Sequence, residues 1–127
     1  MAAIAHCDTH TVLWLYAGEI DRLGKKAAEA IESFNLMISP MVRLEMQFLH
    51  EIDRINEKPE KILRSVATDF GVRVCSDPFE SVIEAAEAIR WTRDPFDRII
   101  VAQAALERAP LITKDDSMRK HYKHCIW

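Results

Sequence analysis

The sequence predicts a three-layer α/β domain in which a short, mostly parallel central sheet is flanked by helices. Short apolar runs alternate along the chain with longer amphipathic segments, which is the pattern of βαβ units. The chain has 127 residues and is 49% hydrophobic, with only 3 Gly and 5 Pro. This length and composition suit one domain with its own core, so we expect residues 1–127 to form a single unit.

The predicted elements follow from apolar periodicity and from their boundary residues. Each strand is a short apolar run, and each longer helix carries apolar residues at helical spacing. The strands are expected at 3–7, 36–38, 72–75 and 111–113. The helices are expected at 11–16, 23–34, 41–55, 59–69, 79–90 and 95–106.

Composition excludes several classes of protein. A net charge of -3 provides no bulk attraction to nucleic acid, so any such contact must be local or mediated by a metal. The three cysteines, Cys7, Cys75 and Cys125, are far apart and lack paired metal-ligand spacing, which is typical of reduced thiols. No stretch resembles a signal peptide or a membrane span. We therefore expect a soluble, cytoplasmic protein without a membrane partner.

The segment that begins at Asp94 predicts a buried helix with two acids at its N-terminus. Asp94 suits the N-cap, Pro95 the first helical position and Asp97 the third, which brings both carboxylates to one face. The following residues, 99–106, are almost all apolar, as in a helix covered on all sides. Taken alone, the acids are better explained as capping groups than as a cation site.

Glu45 is an anomaly in the helix predicted over 41–55. At 100° per residue, the carboxylate falls within an apolar stripe expected to face the core, formed by Met41, Leu44, Phe48, Leu49, Ile52 and Ile55. A buried carboxylate is costly unless it is paired, protonated or bound to a cation. A salt bridge to a distant arginine is one explanation, and a shared acidic site is the one we favour.

Further acids follow two of the predicted strands. Asp8 comes directly after the first strand, and Asp115 follows the last. Parallel α/β sheets bind ligands beyond the carboxyl ends of their strands. We therefore expect these acids to lie close to Asp97, at the N-terminus of its helix, and to the side chain of Glu45. Converging carboxylates repel one another unless a divalent cation neutralises them, and oxygen ligands suit Mg²⁺ or Mn²⁺.

The motifs occur in a specific order. They are Asp8-Thr9-His10, then Ser39-Pro40 with Glu45, then Arg93-Asp94-Pro95-Phe96-Asp97-Arg98 running into Ile99-Ile100-Val101-Ala102-Gln103-Ala104, and finally Leu111-Ile112-Thr113-Lys114-Asp115. Together they resemble the PIN-domain ribonucleases, specifically the VapC-type toxins of bacterial and archaeal toxin–antitoxin pairs. Each motif alone is weak, but the ordered set is specific and covers essentially the whole chain.

The resemblance implies Mg²⁺- or Mn²⁺-dependent endonucleolytic cleavage of RNA. Asp8, Glu45, Asp97 and Asp115 would be the metal ligands and catalytic acids. Asp94 is a further catalytic candidate that could ligate, cap the helix or shape the rim. The neighbouring Asp116 could compete with Asp115, which we prefer because it directly follows the strand end.

Supporting roles follow from the same resemblance. The hydroxyls of Thr9 and Thr113 would hold carboxylates, and Ser39 would either do the same or, more simply, cap its helix. The candidates for a basic rim that steadies the RNA are Arg93, Arg98 and Lys114. The basic segment 119–124 is better explained as a solvated edge than as a phosphate site.

The resemblance also implies a homodimer that is inhibited by an antitoxin protein bound beside the active-site groove. Met37, Met41, Met46 and Phe48 could form such an interface, although ordinary core packing is the better explanation. Two alternative functions remain open. One is a PIN nuclease of RNA processing or repair without a toxin role, and the other is a catalytically silent PIN-like binding module.

Overall fold

The computed structural model describes residues 3–127, which form five strands and seven α-helices. The strands are β1 (Ile4–Cys7), β2 (Asn35–Ile38), β3 (Arg73–Val74), β4 (Leu111–Ile112) and β5 (Cys125–Ile126). The helices are α1 (Thr9–Ala17), α2 (Lys25–Ser33), α3 (Pro40–Glu51), α4 (Pro59–Phe70), α5 (Phe79–Glu87), α6 (Pro95–Leu106) and α7 (Asp116–His121). A short 3-10 turn, Ile20–Arg22, precedes α2. The predicted α/β class is confirmed.

The sheet has the order β3-β2-β1-β4-β5, and every neighbouring pair is parallel. The central strand β1 pairs with β2 on one side and with β4 on the other, where Cys7 lies opposite Ile112. The carboxyl ends of β1 and β4 therefore meet at one edge of the sheet. This register brings the residues that follow the two strands, Asp8 and Asp115, to the same edge.

Helix α6 has the predicted start and the predicted burial. Asp94 occupies the N-cap and Pro95 the first turn. The run from Ile100 to Ala104 is buried at every position, because α6 is covered by its neighbours on most of its circumference. This packing fixes the position of the N-terminus of α6, and hence of Asp97.

The predicted orientation of α3 is wrong in part. The residues that it buries are Val42 and Met46, whereas Leu44, Phe48 and Ile52 are 54%, 44% and 46% exposed. Apolar side chains occur on two faces of this helix, and periodicity cannot tell which face meets the sheet. Glu45 lies at the border between the faces and is half-buried.

The helix ends also differ from the prediction. Helix α3 stops at Glu51 rather than near residue 55, because Asp53 adopts a positive φ of 59° that ends the helical turn. Helix α5 stops at Glu87 rather than at residue 90. Helix ends predicted from periodicity alone commonly shift in this way, since capping geometry decides the last turn.

The carboxyl-terminal segment holds two elements that the sequence did not predict. Helix α7 covers the first half of the basic segment, residues 119–121, and begins with an Asp115 cap, and β5 adds an edge strand beside β4. Both elements are short, so apolar periodicity gives them no signal. Among the described residues, no helix is both long and apolar enough to span a bilayer.

Candidate active site

Asp8 is held by hydrogen bonds at the end of β1. Only 6% of the residue is exposed, and one carboxylate oxygen accepts the amide N–H of Thr11 at 3.0 Å as the N-cap of α1. The hydroxyl of Thr113 donates to the other oxygen. Both oxygens therefore have a protein partner, and the orientation of the carboxylate is fixed.

Thr113 connects Asp8 to the second strand-end acid. The fully buried Thr113 hydroxyl, which donates to Asp8, also accepts the amide N–H of Asp115 at 3.0 Å. Asp115 caps α7 by accepting the amide N–H of Met118 at 2.8 Å. One threonine thus fixes the spacing of the acids that follow β1 and β4.

The two acids at the N-terminus of α6 differ in environment. Asp94 is exposed, and its Oδ1 accepts the amide N–H groups of Phe96 at 2.8 Å and Asp97 at 3.2 Å. Asp97 is half-buried in the first turn. The Asp94 side chain therefore performs the capping that its sequence position predicts, while the carboxylate of Asp97 takes no part in the cap.

Glu45 reaches the same region from α3. Its Oε1 accepts a hydrogen bond from the hydroxyl of Thr9, the first residue of α1. The carboxylate is paired with no Lys or Arg in the part of the chain that the structure describes. Glu45 is thus a half-buried carboxylate that a salt bridge to a distant arginine does not explain.

These acids line one cleft of about 500 Å³ at the carboxyl edge of the sheet. The acids in its wall are Asp8, Glu45, Asp94, Asp97, Asp115 and Asp116. Lys114 is the basic residue among the lining side chains. The cleft is thus strongly acidic, and Asp116 lies close enough to the others to remain a candidate.

Burial and mutual repulsion perturb the acids of the cleft. Burial, followed by the charges of Asp94, Asp115, Glu45 and Asp8, raises the pKa of Asp97 to about 7. Burial also raises the pKa of Asp8 and of Glu45, and the hydroxyls of Thr113 and Thr9 oppose these shifts. A cluster in which each acid disfavours the ionisation of another attracts a cation.

The candidate rim residues lie in different places. Lys114 lines the cleft, whereas Arg93 is exposed and outside its lining. The Arg98 guanidinium donates to the carbonyl oxygen of Ala86 at 3.2 and 3.4 Å, at the end of α5, and Arg98 does not line the cleft. Ser39 accepts the amide N–H of Met41 at 3.0 Å and so caps α3. Of the three candidate rim residues, Lys114 is therefore the one that lines the cleft.

The side chains predicted for the site do not include the aromatic ones that line the cleft. His10 and Trp14 both line it, with ring centroids 6.1 Å apart. Trp14 also packs against Trp127, and the guanidinium of Arg22 lies 5.7 Å from its ring centroid. The sequence feature that indicates these aromatic side chains is the one-turn spacing of His10 and Trp14 on α1, directly after Asp8.

A sequence profile of the family described as the PIN domain matches residues 6–124. The chain therefore belongs to the PIN domain family. PIN domains are generally nucleases, which places the chain among the hydrolases that act on nucleic acids. They typically use divalent metals, and the carboxylate oxygens of this cleft are the ligand type that Mg²⁺ and Mn²⁺ prefer.

Solved structures resemble the whole chain. A toxin-antitoxin complex from Klebsiella pneumoniae aligns with a TM-score of 0.67 and 20% sequence identity, covering 97% of this chain and 96% of the other. A crystal structure of VapBC2 from Rickettsia felis, bound to a DNA fragment from its promoter, aligns with a TM-score of 0.62 and 12% identity, covering 98% and 99%. At these identities the likeness shows the fold. No curated protein matches the chain significantly.

Proposed function

We propose that this protein is a Mg²⁺- or Mn²⁺-dependent endoribonuclease and the toxin of a toxin–antitoxin pair. The observation that carries the proposal is the convergence of four acids from four separate elements on one open cleft, where burial and neighbouring charge raise the pKa of Asp97 to about 7. Membership of the PIN family supports nuclease chemistry. The toxin role is supported by the similarity to two toxin–antitoxin structures.

The donor set fits a hard divalent cation held by Asp8, Glu45, Asp97 and Asp115. Such a cation, when bound, would orient a water for attack on phosphorus and stabilise charge on the phosphodiester oxygens. The threonine hydroxyls have a separate task. Thr113 and Thr9 keep Asp8 and Glu45 in fixed rotamers, so the acids need little reorganisation when substrate arrives.

The remaining residues of the cleft bind the RNA substrate. Lys114 provides positive charge beside the acids, where an anionic backbone would otherwise be repelled. His10 and Trp14 add aromatic rings to the lining of the cleft, and unpaired bases stack on such rings. This combination of local charge and aromatic surface suits single-stranded RNA better than a duplex.

Partner chains are part of the proposal. Large apolar side chains are exposed at Leu44 and Phe48 on α3 and at its C-cap, Ile52, and Phe79 at the start of α5 is 74% exposed. Exposed apolar side chains of this size are typical of protein–protein interfaces. They support a homodimer and an antitoxin partner. We also propose that the protein acts in the cytoplasm, as the resemblance to the toxins implies.

The direct test is cleavage of single-stranded RNA by purified protein with Mg²⁺ or Mn²⁺. Wild type should cleave, and Asp8→Asn and Glu45→Gln should each lower the rate by about 100-fold or more. Glu84→Gln removes an exposed acid from α5 and serves as the matched control, with activity unchanged. Wild-type rates in both cleft variants would refute the assignment.

The toxin role needs its own test. Induced expression should arrest growth, and coexpression of the protein encoded by an adjacent small reading frame should relieve the arrest. RNA cleavage without growth arrest would instead support an RNA-processing nuclease. Absence of both would support a silent binding module.

A further inference from the structure

A second cluster of ligand-type side chains lies outside the cleft. His6, Cys75 and Glu107 each offer one ligand atom, and these atoms all lie within 4.8 Å of one another. His6 is on β1, Cys75 directly follows β3, and Glu107 ends α6. His6 and Cys75 are 0% and 4% exposed, so three separate elements bring an imidazole, a thiol and a carboxylate together in the interior.

In this cluster one basic side chain faces two acidic ones. The Nε2 atom of His6 contacts Glu107, and the carboxyl of Asp77 lies beside the same glutamate. One imidazole therefore faces two carboxylates, and a cation would neutralise them.

His6 has no polar anchor other than this cluster. Its second ring nitrogen, Nδ1, is buried and has no hydrogen-bond partner among the described residues. A buried ring with one unpartnered nitrogen is costly, so its retention in the core calls for a compensating interaction at the other nitrogen. The Nε2 atom faces the ligand-type groups.

We propose that His6, Cys75 and Glu107 bind a thiophilic divalent cation such as Zn²⁺, at a site separate from the acidic cleft. Nitrogen, sulfur and one carboxylate oxygen are the mixed ligand set that Zn²⁺ accepts and Mg²⁺ does not. The carboxyl of Asp77, which lies beside Glu107, is the candidate for the fourth ligand of a tetrahedral shell. The Gln103 amide, which donates to Asp77 at 3.3 Å, holds that side chain in place.

A cation can reach this cluster from solvent. Cys75 and Asp77 line a separate cavity of about 360 Å³, bordered by Met41 and the exposed Phe79. Metal binding would displace the Cys75 proton to solvent and leave a metal–thiolate bond. The bound ion would tie β1, the segment before α5 and the end of α6 together.

The test is absorption spectroscopy of the intact protein titrated with Co²⁺, because a cobalt–thiolate bond gives a charge-transfer band that oxygen ligands cannot give. Wild type should develop this band to saturation near one equivalent, and Zn²⁺ should abolish it by displacement. Cys75→Ser should lose the band. Cys125→Ser, which removes a cysteine outside the cluster, should keep it.

Two further variants separate the two sites. Glu107→Gln should weaken Co²⁺ binding by about tenfold or more while the protein stays folded, as judged by circular dichroism. Asp8→Asn should retain the band, because its carboxylate belongs to the cleft. Absence of the band in wild type, or its persistence in Cys75→Ser, would overturn the proposal whether or not the protein cleaves RNA.

Discussion

The two ends of α6 carry ionisable clusters of opposite character, although both lie against β1 or its carboxyl end. At the amino end, Asp97 joins Asp8 in an open cleft whose possible ligands are carboxylates. At the carboxyl end, Glu107 meets His6 and Cys75 in the interior. Solvent access and the type of ligand atom together determine which cation each cluster can bind. The carboxylates of the cleft suit a hard cation, and the imidazole, thiol and carboxylate at the other end suit a thiophilic one.

The largest effect on stability is expected from Thr113→Val. The substitution removes the hydroxyl that donates to Asp8 and accepts the amide N–H of Asp115, and both groups are left without that partner. Unfolding free energy should fall by about 1–3 kcal/mol, as measured by urea denaturation. The substitution should also raise the pKa of Asp8 further, because the hydrogen bond from Thr113 lowers that pKa in the wild type.

Thr68→Val is the matched control for that experiment. Thr68 donates to the carbonyl oxygen of Arg64 on the exposed face of α4. Its loss should change unfolding free energy by less than about 0.5 kcal/mol. Equal effects of the two substitutions would contradict the role given to Thr113 as the connection between the strand-end acids.

A smaller effect with the opposite sign is expected from Asp97→Asn without divalent metal. The pKa of Asp97 is raised to about 7, so between pH 4 and 7 the folded protein holds a proton that the unfolded chain releases. Unfolding free energy therefore falls as pH rises through this window. The variant should be more stable than wild type at pH 7, by about 1–2 kcal/mol once solvent screening of this half-buried group is allowed for.

The measurement is urea denaturation of wild type and Asp97→Asn at pH 4.5 and pH 7 in the presence of a chelator, both pH values being set by the window above. The difference between the proteins should be present at pH 7 and small at the lower pH. A variant less stable than wild type at pH 7 would show that the acids at this end of α6 stabilise the fold instead of repelling one another.

The smallest effect is expected at the other end of the helix. Glu107→Gln preserves the shape of the side chain and removes a charge that lies outside the cleft. RNA cleavage in Mg²⁺ should therefore stay within about twofold of wild type. A loss comparable to that of Glu45→Gln would show that the two clusters act as one unit.

Much of this architecture could be predicted from local sequence. Asp94 with Pro95 predicts the start of α6, and the apolar run that follows predicts its burial, because capping and periodicity are local properties. The placement of Asp8 and Asp115 at one edge followed from the parallel sheet. Glu45 was recognised because a carboxylate beside apolar neighbours needs an explanation.

Other features depend on tertiary contacts that no local pattern encodes. The face of α3 that meets the core could not be chosen, since Val42 and Leu44 are equally apolar in sequence yet 0% and 54% exposed. The hydrogen bonds of Arg98 to Ala86 depend on how α5 packs against α6. His6, Cys75 and Glu107 come together over long sequence separations, without any motif spacing.

Isothermal titration calorimetry with Mg²⁺ and Mn²⁺ tests the central claim most directly, because it measures cation binding by the cleft without requiring the RNA target. Wild type and Glu107→Gln should show a saturable heat at pH 7.5, a pH chosen to lie above the pKa of about 7 of Asp97. Asp8→Asn and Glu45→Gln should weaken or abolish this heat. A wild-type titration without metal-dependent heat, or the same heat in all four proteins, would contradict the account of the cleft as a divalent cation site.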